Sequence, residues 1–227
     1  MKTIGLIGGT GWESTLDYYR YINQGVRARL GGFHSAKLLL SSVDFAPFES
    51  WMRHGERDAV GAALAREARL LEQAGAEGIL LATNTMHKTA GRIEAAITVP
   101  FIDIRDTCGR AIAEGGFKRP LLLGTRYAMV DDFFTARLVT SFGLAPAVPD
   151  VPDETTINDI IFNELVNGIV SPASNAVYRR IVGKAREADC VIFGCTEIGT
   201  LLKPDDLALP VFDTLRLHVD AALAFAL

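Results

Sequence analysis

The sequence predicts an α/β protein made of two pseudo-symmetric halves, each a parallel sheet with helices on its faces. Three observations carry that expectation. Short apolar runs of strand length alternate along the chain with longer segments of helical spacing, the pattern of parallel sheets covered on both sides. Two of the runs, Gly78-Ile-Leu-Leu-Ala-Thr83-Asn84-Thr85-Met-His87 and Cys190-Val-Ile-Phe-Gly-Cys195-Thr196-Glu197-Ile-Gly, end alike in small polar residues where a helix should start. Each is followed by a strand with proline second, Val99-Pro100-Phe101-Ile102-Asp103 and Leu209-Pro210-Val211-Phe212-Asp213. The recurrence implies a duplicated unit that presents two matching strand ends to one shared cleft.

In chain order, residues 3–9 form a strand that breaks at Gly8-Gly9-Thr10-Gly11 and leads into a helix over 13–30. Glycines there would let backbone approach a ligand at the strand's carboxyl end. Their spacing is not the dinucleotide fingerprint, which argues against a nicotinamide or flavin site. A second strand is expected over 37–43, a loop and helix start over 44–57, and a helix over 58–74 that stops at Gly75. The first key strand leads to a short helix over 87–96, a strand over 99–104 and a helix through 113. Gly115-Gly116 marks the expected boundary, so the first half is 1–114 and the second 115–213, with the terminal helix 214–227 packing back on the first. The second half restarts at Arg119-Pro-Leu-Leu-Leu-Gly124-Thr125-Arg126. It continues with a helix near 131–142, a short strand near 144–148, a polar loop at 149–154, and helices over 155–170 and 174–188.

Composition bounds the function. The chain has 227 residues, 49% of them apolar, and a formal charge of −4. Lys and Arg (23) do not exceed Asp and Glu (27) or gather in one stretch, so nothing points to nucleic acid. Three irregularly spaced cysteines point to a reducing, cytoplasmic setting rather than a disulfide framework. No signal peptide opens the chain and no apolar run is long enough to span a membrane. No spacing of Cys, His and acids resembles a metal site.

Among the polar residues, Cys195 stands out because it follows a buried strand and a glycine at the mouth of a helix. Unpaired N–H groups and the helix dipole there are expected to lower its thiol pKa and make it a base or a nucleophile. Cys108 and Cys190 read as small buried residues instead. Asn84, Thr85 and Thr196 could hold a carboxylate through side chains and backbone N–H groups, or cap helices. His87, one turn into a helix, reads as a surface or capping residue.

Lys2-Thr-Ile-Gly-Leu-Ile-Gly-Gly-Thr-Gly-Trp-Glu-Ser-Thr15, Thr83-Asn-Thr-Met-His87, Leu123-Gly-Thr125 and Gly194-Cys-Thr-Glu197 together resemble the aspartate/glutamate racemases that work without pyridoxal phosphate. The resemblance runs over the whole chain. It implies an acidic amino acid as substrate, no cofactor, and two bases at the paired strand ends, one removing the α-proton and the other protonating the opposite face. A homodimer is also implied by the family alone. Carried over by position, Thr83 and Cys195 are the catalytic pair, and Thr10, Met52, Asn84, Thr85, Thr125, Thr196 and Glu197 contact substrate, with Trp12 near them.

This sequence departs from the pattern at Thr83, where the family has cysteine. Cys195 is then expected to deprotonate the L-enantiomer while Thr83, or a water it holds, reprotonates the other face, with deprotonation of the D-enantiomer poor or absent. The basic residues that the family uses for the distal carboxylate are also replaced, near Pro47 and Val166, with Arg53 or Arg126 as substitutes. Two other readings keep the fold: a single-cysteine decarboxylase of the same superfamily, and a non-catalytic amino-acid-binding module.

Overall fold

The computed structural model describes every residue, Met1–Leu227. The chain forms two compact units, Met1–Ile104 with His218–Leu227 and Arg105–Leu217. Both are α/β with parallel sheets.

The first unit opens with β1 (Ile4–Gly8), whose five residues are all buried, and α1 (Trp12–Leu30). Next come β2 (Leu38–Ser42), α2 (Phe45–Arg53) and α3 (Arg57–Gln73). Then follow β3 (Gly78–Leu81), a 3-10 turn (Thr85–Thr89), α4 (Ala90–Glu94) and β4 (Phe101–Ile102). The strands lie in the order β2-β1-β3-β4, all parallel. Ile7, Ile79 and Leu81 of the central strands meet Val60, Leu64 and Ala68 of α3, which repeat at helical spacing. Burying each such aliphatic side chain stabilises by roughly 1.5–3 kcal/mol, which fixes the sheet register and hence the strand ends.

The glycine turn after β1 has a structural cause. Gly9 has φ of +92°, and a Cβ there would come within 2.2 Å of the Val43 carbonyl oxygen, so no other residue fits. Its N–H donates to Thr15 Oγ1 at 3.0 Å, and that hydroxyl donates to the Gly11 carbonyl at 3.0 Å. The space beside the Gly9 Cα is thus taken by the backbone of Val43.

The second unit holds α5 (Ile104–Glu114, from Arg105), β5 (Pro120–Leu123), α6 (Arg126–Val130), α7 (Thr135–Phe142) and α8 (Val151–Asn163). A 3-10 turn (Leu165–Asn167), α9 (Pro172–Lys184), β6 (Cys190–Phe193), α10 (Ile198–Leu201), a second 3-10 turn (Pro204–Asp206) and β7 (Val211–Asp213) complete it. The last helix, α11 (Thr214–Ala226), begins in this unit and belongs to the first from His218 onward. The strand order is β5-β6-β7, with one parallel bridge from Leu121 to Ala147 on the free side of β5. That bridge occupies the place that β2 has beside β1, so the two sheets share one topology.

Several elements differ from the sequence expectation for identifiable reasons. The strand expected near 144–148 is reduced to that bridge, held by Ala145 and Ala147 N–H groups donating to Lys118 and Pro120. Pro146 and Pro149 keep it an edge segment. The loop expected at 149–154 is helical from Val151, because Asp150 accepts from the Asp153 N–H as a cap and Pro152 suits a first turn. The break at Gly115-Gly116 lies inside the second unit, because Cys108 and Ile112 of α5 share a buried cluster with Leu122, Leu138 and Ile192.

Candidate active site

In the second unit, β6 delivers Cys195 two residues past its end, beside β5, with the Gly194 N–H donating to the Leu123 carbonyl at 2.7 Å. A Cβ on Gly194 would meet Leu122 Cδ1 at 2.7 Å and the Leu123 carbonyl oxygen at 3.0 Å, so glycine lets the two strand ends close up without displacing Leu122. Cys195 is 9% exposed and forms part of the buried wall that includes Tyr178, Ile198 and Phe193. Its thiol donates to Glu197 Oε2 at 2.9 Å, and the Thr196 hydroxyl donates to the same oxygen at 2.8 Å. One carboxylate oxygen therefore collects two donors from adjacent residues.

That arrangement reverses the expected electrostatics of the thiol. Its pKa is raised well above the ordinary value, first by burial, then by the Glu197 charge and hydrogen bond, while the backbone N–H groups of Thr196 and Glu197 pull it only partly back. The helix behind it, α10, has four residues, too short for an appreciable dipole. Cys195 is thus held as a thiol facing a carboxylate that could take its proton. Cys190 is pushed up to about 12 by burial and the neighbouring Asp189 charge, and Cys108 is raised by burial, as expected for inert core thiols. Tyr178 is fully buried and its hydroxyl has no hydrogen-bond partner within the chain.

At the end of β5, Thr125 accepts from the Ala128 N–H at 3.4 Å as the cap of α6. Arg126 follows it, with its N–H on Asn158 Oδ1 at 3.0 Å and its exposed guanidinium 3.5 Å from Glu154.

In the first unit, β3 runs out at Leu81, and Thr83 is half-buried beside the end of β1, where the Ala82 N–H donates to the Ile7 carbonyl at 2.8 Å. Asn84 is 5% exposed and its side chain caps no helix, which removes the capping explanation for it. Thr85 opens the 3-10 turn and is half-buried. Thr10, at the end of β1, holds a buried hydroxyl oxygen with no hydrogen-bond partner in the chain. A buried oxygen without a partner costs roughly 1–3 kcal/mol and is the kind of group that a bound ligand satisfies. Met52 on α2 packs against the apolar cluster beneath β1 and β3. Trp12 is 62% exposed, and Arg53 is exposed and ion-paired with Glu49.

His87 departs from the reading as a surface or capping residue. It is fully buried, and its Nδ1 lies 2.6 Å from the Thr83 carbonyl oxygen. The signal was present in the sequence as the four-residue spacing from Thr83, which puts both on one face of a helical turn. His218 and Tyr18, also fully buried and joined at 2.7 Å, gave no such signal, being far apart in sequence. No group of three or more His, Cys, Asp or Glu is placed to hold a metal ion, and no helix is long and apolar enough to cross a membrane.

Two parallel α/β units, each with a polar cluster at the carboxyl end of its central strand, define a class that comparison with known proteins makes specific. The model of the Asp/Glu/hydantoin racemase family matches residues 7–222. A candidate Asp/Glu racemase from Yersinia pestis is 45% identical, with a TM-score of 0.95 over 100% of this chain and 99% of that one. An aspartate racemase homologue from Pyrococcus horikoshii OT3 is 32% identical, with a TM-score of 0.88 over 100% and 99%. A variant of arylmalonate decarboxylase shares the fold at 16% identity, with a TM-score of 0.60 over 100% and 93%. The chain belongs to the Asp/Glu/hydantoin racemase family, and its function is of racemase type.

Proposed function

We propose that the protein racemises an acidic amino acid, aspartate or glutamate, without a cofactor, using Cys195 and Thr83 as an unlike pair. The observation that carries this reading is the shared oxygen of Glu197, which places a proton acceptor against the Cys195 thiol. Transfer of the thiol proton to Glu197 leaves a thiolate, which takes the α-proton of the L-enantiomer and becomes a thiol again. The Cα carbanion then receives a proton on its other face from the Thr83 hydroxyl. Water reprotonates the oxygen left on Thr83, and the hydroxide so formed is neutralised by the proton that Glu197 releases to solvent, which restores the starting state. Thr10, Asn84, Thr85 and Thr196 are the proposed holders of the substrate's polar groups, Met52 and Thr125 its flanking contacts, and Arg126 a candidate for the distal carboxylate.

The unlike pair has a thermodynamic limit. Enantiomers have equal free energies, so kcat/KM for inversion must be the same from either side. A one-way racemase is excluded, and the asymmetry must appear elsewhere. A threonine hydroxyl is a reluctant donor, so the carbanion returns to Cys195 repeatedly before inversion, and each return allows the thiol proton to exchange with solvent. The L-enantiomer should therefore lose its α-proton faster than inversion, whereas the D-enantiomer should lose it only as fast as it inverts.

Thr83→Cys is the direct test. A thiol at that position supplies the missing second base, and α-proton exchange of the D-enantiomer in deuterium oxide should rise by about tenfold or more. A Thr83→Cys protein whose D-exchange stays at the wild-type level sinks the pairing.

A second reading has one observation in its favour. A thiol held protonated, as Cys195 is, also suits delivery of a proton to an enediolate after loss of carbon dioxide. Substituted malonates that release carbon dioxide, together with amino acids that show no exchange, would favour it.

A further inference from the structure

The first unit contains a buried line of hydrogen bonds that ends on the Thr83 backbone. The Tyr18 hydroxyl lies 2.7 Å from His218 Nδ1, and His218 Nε2 lies 2.6 Å from the Ile102 carbonyl oxygen. Two residues on, the Ile104 N–H donates to His87 Nε2 at 3.3 Å, and His87 Nδ1 lies 2.6 Å from the Thr83 carbonyl oxygen. The two rings meet edge to face with centroids 5.9 Å apart.

The partners assign the protons. A carbonyl oxygen only accepts, so His87 carries its proton on Nδ1, and an amide N–H only donates, so His87 Nε2 presents a lone pair. His218 carries its proton on Nε2 for the Ile102 carbonyl, which leaves Nδ1 to accept from Tyr18. Burial and the neighbouring His87 pull the His218 pKa down to about 3, against smaller opposite pulls from the hydrogen bond to the Ile102 carbonyl and from Asp103, in keeping with a neutral ring.

The line also lies where the sheet stops. The β3–β4 ladder has two rungs, Ile79 with Phe101 and Leu80 with Ile102. Beyond the second rung the backbones separate, and the His87 ring spans the gap from Thr83 on one side to Ile104 on the other. An apolar side chain could fill that space but could not join the two strand ends.

We propose that His87 is a positioning residue for Thr83, fixing the end of β3 so that the Thr83 hydroxyl is aimed at the carbanion, with His218 and Tyr18 fixing the segment that His87 grips. The proposal rests on the reading of Thr83 as proton donor. Proton delivery depends steeply on geometry, so a small displacement of the strand end slows inversion while leaving chemistry at Cys195 intact.

The experiment follows L-glutamate and L-aspartate in deuterium oxide and reads two products of the same carbanion, the deuterated L-form returned by Cys195 and the deuterated D-form delivered from Thr83. In His87→Leu the ratio of D-product to L-exchange should fall by about tenfold while L-exchange stays within about twofold of wild type. His87→Asn, which restores an N–H near the Nδ1 position, should recover most of the ratio. Tyr18→Phe, which removes only the far hydroxyl and covers the case of a His87 variant that does not fold, should lower the ratio by about twofold. A His87→Leu protein with an unchanged ratio, or with both rates reduced together, overturns the proposal. Wild-type protein with no exchange on either amino acid overturns the racemase reading beneath it, and the two failures are thus told apart.

Discussion

Cys195 cannot act as a base until something removes its proton, and Glu197 is the group in hydrogen-bond reach to do so. Glu197→Gln separates two roles of that carboxylate. If Glu197 only raises the thiol pKa by its charge, its removal lowers that pKa and speeds α-proton exchange at neutral pH. If it receives the proton, exchange at pH 7 should fall by about 100-fold and recover as pH is raised towards the thiol pKa. The account predicts loss with alkaline recovery, and an unchanged or faster rate would contradict it. The sequence made Cys195, Thr196 and Glu197 visible as a cluster, since they are consecutive. It misjudged the sign of the thiol's shift, because burial and a short helix behind the residue are tertiary facts.

The strands that fix the chemistry were readable from apolar runs alone, and each central strand lies within the expected span. Connections were less readable: Pro146 hides an edge bridge and Asp150 a helix start. The grip of α1, β4 and α11 on one another was not readable at all, since Tyr18, Ile102 and His218 come from distant segments. This grip has a measurable consequence for stability. The unfolded His218 titrates near 6.5 and the folded one near 3, so below 6.5 the unfolded chain binds a proton that the folded chain refuses. Stability should therefore be complete above that pH and fall on acidification towards the folded value, by about 1.4 kcal/mol per pH unit once well below 6.5. Urea unfolding at a series of pH values should show the decline, and His218→Gln should flatten it. A native protein whose urea midpoint ignores pH between 6.5 and about 5 contradicts a neutral, buried His218.

At the scale of the whole chain, duplication is the organising fact. The order β2-β1-β3-β4 recurs as the Ala147 bridge followed by β5-β6-β7, and Thr83 and Cys195 each lie two residues past the end of the central strands β3 and β6. On the proposed reading, these two equivalent positions, filled by unlike residues, act as an unlike pair of proton carriers. The most direct test is proton NMR in deuterium oxide with the L- and D-forms of aspartate and glutamate, comparing wild type with Cys195→Ala. The account predicts faster loss of the α-proton from an L-form than from its D-form, the excess being deuterated L-form, and no loss from the L-form in Cys195→Ala. Equal exchange of both enantiomers, or L-exchange that survives the substitution, would contradict it.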